Sequence, residues 1–408
     1  MNRQKENNLG FIPQLHRVRQ VFNAEALHDP GAKLIEKLEA LGISIPRGSR
    51  VAIAVGSRGI NNLPVLVKSL IQWLAAQKAE PFIVSAMGSH GGGTPEGQCK
   101  ILDSLGVSTE TMGVPIICSQ DIVHLGETPQ GFPILFDRVA AEADLIIPIN
   151  RIKAHTDFDG PIESGLCKML VIGLGNDAGC RQIHNLAPEE YSSIIETAAS
   201  FILSKMPVLF GVAILENGYG QSYDLDVLKP EGMIAKEKIL LKKAKDLMPS
   251  IGIKEIDLLI CEQIGKDISG AGFDPNILGR SSVKKSFSRP IPKIDKMVLL
   301  DLTEASHGNG IGIGMFDVVT RKVVDKLDFQ VMYNNATACK CLEDVRIPYI
   351  AADESTAIEI AAQACRASLT ELKIVRIKNT SELDYIQVSE NLLDEVLQSD
   401  QMYKDQME

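Results

Sequence analysis

The sequence predicts an α/β protein of two domains, each with a largely parallel sheet covered by helices. Apolar runs of strand length alternate with helical patterns from about residue 50 onward, which is typical of a parallel sheet with helices on its faces. The chain has 408 residues, and a domain holds roughly 100 to 200, so more than one core is expected.

The first series of elements lies before residue 245. Strands are predicted over 51–57, 81–89, 143–152 and 207–215, and helices over 62–78 and 94–106. The second helix has local signals at both ends, because Thr94 is suited to an N-cap, Pro95 to the first helical position and Gly106 to a C-terminal cap. We assign residues 1–245 to an N-terminal α/β domain.

A charged helical stretch over 237–249 precedes the second series of elements. Strands are predicted over 256–264, 296–303 and 372–379, with a helix over 354–367. The Gly-rich span 265–290 is too irregular to belong to the core, and a loop of that length is typically a lid or a binding loop. We assign residues 250–408 to a C-terminal α/β domain.

Charge and composition exclude several classes of function. The chain carries 52 acidic and 42 basic side chains, a formal net charge of −10, without the basic footprint that nucleic acid or an anionic membrane requires. An anionic substrate therefore needs local Arg and Lys. No signal-like apolar stretch begins the chain and the most apolar segments are only strand length, so a cytoplasmic protein is expected.

The eight cysteines form no C-x-x-C pair, so neither a zinc ribbon nor a redox dithiol is indicated. We expect most of them to be buried, reduced thiols that act as small apolar side chains.

Four of the seven histidines adjoin glycine or a predicted strand end: His90, His155, His184 and His307. Loops at the carboxyl ends of parallel strands are where open α/β sheets bind ligands, so these four are better candidates than the others. For each one taken alone, a structural or surface imidazole is the competing interpretation.

Around His90, the segment GSHGGGTPEG combines three glycines with a helix start. Free backbone N–H groups and the positive helix end would form an anion cradle beside the imidazole. The competing interpretation is a tight strand-to-helix turn that needs glycine. The segment matches neither the phosphate loop G-x-x-x-x-G-K-[ST] nor the dinucleotide fingerprint G-x-G-x-x-G.

The most unusual segment is NRIKAHTDFDGPIESGLCKMLVIGLG, residues 150–175. Small residues precede Lys168 and an apolar run follows it, which indicates a lysine at the edge of the core, where desolvation lowers its pKa and makes it nucleophilic. The alternative is an ordinary lysine at a helix end. His184 follows sixteen residues later and could face the lysine across a cleft.

Taken together, these histidines and this lysine resemble the lactate racemase family over roughly residues 10 to 370. The resemblance implies a nickel-pincer nucleotide, pyridinium-3-thioamide-5-thiocarboxylic acid mononucleotide with nickel, bound in the N-terminal domain. Lys168 matches the lysine that carries this cofactor through a thioamide bond. His184 matches the one protein histidine on the nickel.

The same resemblance implies the other site residues. His90 and His155 match a pair of general acid/bases, with His307 as the alternative second base, and Arg58 matches an active-site arginine at the cofactor and substrate. Gln263 and Lys266 match substrate-facing residues of the C-terminal domain. Two features depart from the family: the gap of thirteen residues between His155 and Lys168 is longer than expected, and the substrate loop over 264–280 differs.

The implied function is an isomerase, a racemase or epimerase that inverts C2 of a small 2-hydroxy acid in the interdomain cleft. Removing the C2 hydrogen as hydride, while a base takes the hydroxyl proton, avoids a poorly stabilised carbanion, and two imidazoles serve the two faces. Cofactor-synthesis proteins are implied partners. One alternative is a nicotinamide-dependent dehydrogenase, but the segment VGSRGINN after the first predicted strand lacks the dinucleotide fingerprint of that class. The other alternative is a non-catalytic sensor.

Overall fold

The computed structural model describes residues 13–398 and 402–404, the last three by their backbone alone. The chain forms two compact units. One is Asn23–Met248, here called the N-terminal unit. The other, the C-terminal unit, consists of the described residues up to Phe22 and from Pro249 onward. Both are α/β, as the sequence predicts.

The strands and helices of the described residues follow in chain order. The strands are β1 Leu15–Gln20, β2 Arg50–Val55, β3 Glu80–Ser85, β4 Ile116–Ile117, β5 Ile122–Glu127, β6 Pro133–Asp137, β7 Leu145–Arg151, β8 Gly211–Glu216, β9 Ser222–Leu228, β10 Glu255–Ile264, β11 Lys293–Leu302, β12 Val318–Thr320, β13 Tyr349–Ala351, β14 Ile374–Asn379, β15 Glu382–Ser389 and β16 Met402–Lys404. The α-helices are α1 Pro30–Ala40, α2 Leu63–Ala76, α3 Pro95–Ser104, α4 Thr109–Met112, α5 Arg138–Ala141, α6 Leu166–Lys168, α7 Asn176–Ile183, α8 Tyr191–Lys205, α9 Met233–Leu247, α10 Pro275–Leu278, α11 Arg321–Asp325, α12 Phe329–Cys339, α13 Glu354–Ala364 and α14 Leu393–Leu397. A π-helical turn over Met169–Gly173 continues α6.

The sheet of the N-terminal unit has the order β4-β3-β2-β7-β8-β9. Its strands run parallel except for the antiparallel edge strand β9, and β5 with β6 forms a separate hairpin. The residues 51–55 of the central strand β2 are fully buried, because helices cover both faces. Consequently the loops after β2, β3 and β7 lie together at the carboxyl edge of the sheet.

The sheet of the C-terminal unit has the order β13-β12-β11-β10-β14-β15-β1-β16. The part from β13 to β14 is parallel, whereas β15, β1 and β16 join it as antiparallel strands. The predicted boundaries differ here, since residues 1–245 were assigned to one domain but β1 pairs with β15. In β1, Val18 lies opposite Ile386 and is fully buried, so burial of this face draws the strand into the second sheet.

Local sequence signals explain the predicted elements. At the start of α3, the Thr94 hydroxyl accepts from the backbone N–H of Gly97 at 3.1 Å, and Pro95 opens the helix. Gly106 follows the helix with a φ of +78°, which favours glycine. Within the irregular span 265–290 the structure adds one short helix, α10. No helix among the described residues has the length and apolar character needed to cross a membrane.

The prediction that most of the cysteines are reduced holds, and one pair is the exception. Cys99 on α3 and Cys118 after β4 form a disulfide, with Cα atoms 6.1 Å apart. Parallel pairing of β3 with β4 places the two residues side by side although 19 positions separate them. The other six cysteines are free thiols, in keeping with the prediction.

Replacing Cys118 by Ser is expected to lower the free energy of unfolding of the N-terminal unit by about 3 kcal/mol, because the cross-link limits the unfolded chain. Denaturant titration measures the change, and Cys339→Ser, outside the disulfide, is the control. Unreduced, denatured protein should present six titratable thiols. Eight thiols in that assay would contradict the disulfide.

Candidate functional site

The candidate site lies at the carboxyl edge of the N-terminal sheet. Arg58 follows β2, His90 follows β3 and His155 follows β7, while Lys168 comes from the segment that returns beneath these loops. The returning segment is close to the sheet, since the backbone N–H of Gly88 donates to the carbonyl of Gly173 at 3.2 Å. Three sequence-distant loops and the lysine segment therefore meet at one edge.

The lysine segment is an irregular helix. Residues 169–173 are all buried, as the apolar run MLVIG predicts, and Leu174 N–H donates to the carbonyl of Met169 at 2.8 Å, an i to i+5 bond. Such π-helical turns are rare in proteins, and many of those known lie at functional sites. Here the apolar run anchors the segment in the core, and Lys168, at the last position of α6, is only partly buried at the core's edge.

Lys168 Nζ contacts His155 Nε2 directly. The other ring nitrogen of His155, Nδ1, accepts from the backbone N–H of Asp157 at 3.0 Å. A neutral imidazole whose Nδ1 accepts must carry its proton on Nε2. That proton points at Nζ, and an ammonium group has no lone pair to receive it. The arrangement therefore favours Lys168 as a neutral amine.

Electrostatics act in the same direction. Burial lowers the pKa of Lys168 from 10.5 to about 8, because desolvation disfavours the ammonium form. The negative charges of Asp157 and Cys180 oppose this shift, whereas the Arg58 guanidinium adds to it. Arg58, itself exposed, is thus close enough to Lys168 for its charge to matter.

The loop that carries His155 is fixed by a buried carboxylate. Glu163 is fully buried and accepts from the backbone N–H groups of His155 at 2.6 Å and Gly160 at 3.2 Å. Lys245 of α9 pairs with Glu163 and also with Asp159 at 2.9 Å. Because the carboxylate is both paired and hydrogen-bonded, its burial is compensated, and its two hydrogen bonds tie the loop to α9 through Lys245.

Aromatic rings connect His155 to His184. Phe158 stacks on His155 with ring centroids 4.5 Å apart, and its edge meets Tyr191 at 5.4 Å. Tyr191 in turn meets His184 edge-on at 6.0 Å. The two aromatic rings therefore form a continuous wall of contacts between the two imidazoles.

His184 ends α7 one turn after Cys180. Burial raises the pKa of the Cys180 thiol, but the hydrogen bond and charge of His184, together with the Ser89 hydroxyl, outweigh it and lower the pKa overall. Ser89 Oγ lies 3.4 Å from Cys180 Sγ. Since Ser89 adjoins His90, this contact connects the His184 helix with the His90 loop.

The His90 loop is a tight turn with internal hydrogen bonds. The N–H groups of Gly93 and Thr94 donate to carbonyls of the turn. An anion cradle would need such amides to be available to a ligand, and these two are not. Buried Gln98 supports the turn by donating to the carbonyl of Gly88 at 2.9 Å. His90 Nδ1 meets the Ser57 hydroxyl from the β2 loop.

Gln263, Lys266 and His307 belong to the C-terminal unit. Gln263 lies near the carboxyl end of β10, and Lys266 follows it in a loop where its Nζ donates to the carbonyl of Gly270 at 2.6 Å. His307 is exposed, in a left-handed turn with a φ of 48°. These three residues are near carboxyl strand ends of their own sheet.

The structure brings together five of the predicted site residues in the N-terminal unit: Arg58, His90, His155, Lys168 and His184. Sequence reasoning missed the residues that hold them, Ser57, Phe158, Glu163, Tyr191, Glu237 and Lys245. One signal was available, because Glu237 occupies the apolar stripe of α9 with Met233 and Leu241. Among the described residues, no group of three or more His, Cys, Asp or Glu is arranged to hold a metal ion.

Comparison with known proteins identifies the fold. Residues 31–194 match the model of the lactate racemase N-terminal domain. The lactate racemase apoprotein from Thermoanaerobacterium thermosaccharolyticum has a TM-score of 0.53 and 12% identity, over 90% of this chain and 99% of that one. A Thermotoga maritima protein is similar at a TM-score of 0.47 and 17% identity, over 67% of this chain and 71% of that one. No curated protein matched.

The lowered pKa of Lys168 predicts a pH-dependent stability change. The charged form is disfavoured in the fold, so the folded state is destabilised wherever Lys168 is protonated. This cost is absent above the unfolded pKa of 10.5, grows as the pH falls, and is complete below about 8. Lys168→Met should therefore stabilise the N-terminal unit at pH 7 by up to about 3 kcal/mol, and the gain should shrink towards pH 10.

Urea titrations at pH 7 and pH 10 measure this difference. Lys205→Met, at an exposed position of α8, is the matched control and should change stability little at either pH. An effect of Lys168→Met that is equal at the two pH values would contradict the shift.

Proposed function

We propose that the chain, whose residues 31–194 match the model of the lactate racemase N-terminal domain, is a racemase or epimerase that inverts C2 of a 2-hydroxy acid on a nickel-pincer nucleotide tethered to Lys168. The observation that carries the proposal is the contact between Lys168 and His155. A thioamide bond to a lysine requires a neutral, nucleophilic amine, and the tautomer of His155 and the pKa of Lys168 both favour that form.

The surrounding side chains fit the proposed cofactor. His184 is an imidazole near the lysine segment, and the proposal needs only one protein donor for nickel, since the cofactor itself supplies sulfur and carbon donors. Phe158 and Tyr191 offer aromatic rings beside His184 that could pack against the cofactor. Arg58 supplies a positive charge within electrostatic reach of Lys168, which suits a phosphate or a carboxylate.

In this reaction the bound nucleotide would accept the C2 hydrogen with its electron pair. The chain's own part is proton transfer at the substrate hydroxyl. His155, with its proton on Nε2, is assigned as the acid. His90 is assigned as the base, because Nδ1–H donation to Ser57 would leave the lone pair on Nε2. The roles exchange for the other enantiomer, in which the proton travels in the opposite direction.

Substrate contact by Gln263 and Lys266 is part of the proposal. Lys266 would have to exchange its hydrogen bond to Gly270 for the substrate carboxylate. An ammonium and a guanidinium can neutralise a carboxylate locally in a chain of net charge −10. Monocarboxylates, dicarboxylates and sugar acids all meet this requirement, so the substrate is defined as a class.

Cofactor loading tests the tether and the metal ligand. Protein produced together with the cofactor-synthesis proteins should carry an added mass on the Lys168 peptide and should contain nickel. His184→Ala should keep the added mass and lose nickel, because the covalent bond does not depend on the imidazole. Intact-mass, peptide-mass and metal analyses measure these outcomes.

Protein from a host without the cofactor-synthesis proteins is the control for loading. An adduct on another lysine would remove Lys168 from the proposal, and unchanged nickel in His184→Ala would remove His184. Loaded protein that causes no loss of optical rotation in any tested monocarboxylate, dicarboxylate or sugar acid would indicate the sensor instead.

Substitution of either proposed acid/base tests the proton transfers. His90→Ala and His155→Ala should each lower racemisation by about 100-fold or more, since every turnover uses one imidazole as acid and the other as base. Cofactor loading should survive in His90→Ala. The exposed His124→Ala on β5 is the control and should retain activity. Near-normal racemisation by His155→Ala with an inactive His307→Ala would transfer the second role to His307.

A further inference from the structure

The turn that carries Lys168 has buried backbone amides that its own N-cap residue does not satisfy. Gly165 precedes α6 and has no side-chain oxygen, so it cannot cap the helix. Leu166 and Cys167, the first two helical residues, are both fully buried. Their N–H groups have no partner within the helix, and leaving them unpaired away from water would be costly.

A side chain from α9 provides the missing acceptor. Glu237 is fully buried, and one carboxylate oxygen accepts from the N–H groups of Leu166 at 2.9 Å and Cys167 at 3.0 Å. Burial raises the pKa of Glu237 to about 7, against the effect of these hydrogen bonds, so the carboxyl group is kept here at an energetic cost. A helix packed by apolar residues alone would not need a carboxyl group at this position.

Gly165 and Glu237 are sterically matched. The backbone of Gly165 is extended, with a φ of 175°, a conformation open to any residue. A Cβ at this position would nevertheless collide with the Glu237 carboxylate, and next with the terminal methyl group of Ile152. The glycine therefore makes room for the carboxylate that caps the next turn.

We propose that Glu237 is a positioning residue for Lys168, holding the turn so that the lysine amine meets His155. The proposal deepens the proposed function, in which Lys168 is the attachment point. The carboxylate touches the two residues immediately before Lys168, so its loss frees the turn to rotate. The same helix also holds His155 through Lys245 and Glu163, which makes α9 the common support of both partners.

The test is acylation of Lys168 in the protein without cofactor, followed by peptide mass spectrometry over a range of pH. In the wild type, labelling should rise with a midpoint near the Lys168 pKa of about 8. Glu237→Gln keeps an oxygen acceptor and should keep this midpoint. Glu237→Leu removes the acceptor, and the midpoint should move up towards that of an ordinary lysine, with labelling at pH 8 falling about tenfold or more.

Two further variants make the result decisive. Gly165→Ala should displace the carboxylate and shift the midpoint in the same direction as Glu237→Leu, so it answers the question if the leucine variant fails to fold. Asp246→Leu removes an exposed carboxylate from the same helix and should leave the midpoint unchanged. A wild-type midpoint in folded Glu237→Leu or Gly165→Ala would overturn the proposal.

Failure of this inference and failure of the proposed function are distinguishable. Labelling uses no cofactor, so the midpoints report on Glu237 even if the wild type never acquires an adduct. Conversely, the wild type could load the cofactor while the variants show the wild-type acylation midpoint. That result would support Lys168 as the tether and would remove only the role of Glu237.

Discussion

A lysine beside an apolar run is costly unless its charge is compensated or its proton is easily lost, and the N-terminal unit makes loss of the proton easier. Lys168 meets an imidazole nitrogen that carries a proton, close to the positive charge of Arg58. Both features favour the neutral amine, as does burial. The loops of β2, β3 and β7 are arranged around this one amine, whose pKa is lowered to about 8.

The polar residues of the candidate site and of the core beneath it form two layers. Residues that would meet ligands lie at the sheet edge, and buried charges one layer below determine where those residues lie. Glu163 fixes the His155 loop through its backbone N–H, and Glu237 fixes the lysine turn in the same way. Side chains that bond to backbone amides define main-chain position more strictly than apolar packing, because hydrogen bonds are directional and packing is not.

The sequence was sufficient for features that depend on neighbours in the chain. The caps of α3 and the alternation of strands and helices are local, and the structure agrees with them. His90 and His155 could be selected because they follow strand ends, and Lys168 because small residues precede it and an apolar run follows it. The partners of the supporting residues could not be predicted: Glu237 is visible in the apolar stripe of α9, but 71 positions separate it from Leu166, so no local pattern shows what it binds. The pairing of β1 depends on partners at the other end of the chain, which no local pattern records.

The path of the chain through its two sheets also bears on the order of events during synthesis. The strand β1 is synthesised more than 360 residues before its partner β15, which spans Glu382–Ser389. The unit Asn23–Met248 contains all its own strand partners and can fold while the remainder is being made. Throughout that interval β1 has an unsatisfied edge and an apolar face at Val18, a template for mispairing with another nascent chain. Pairing of β1 must wait until residues 382–389 have been made, so the second sheet should form late in folding.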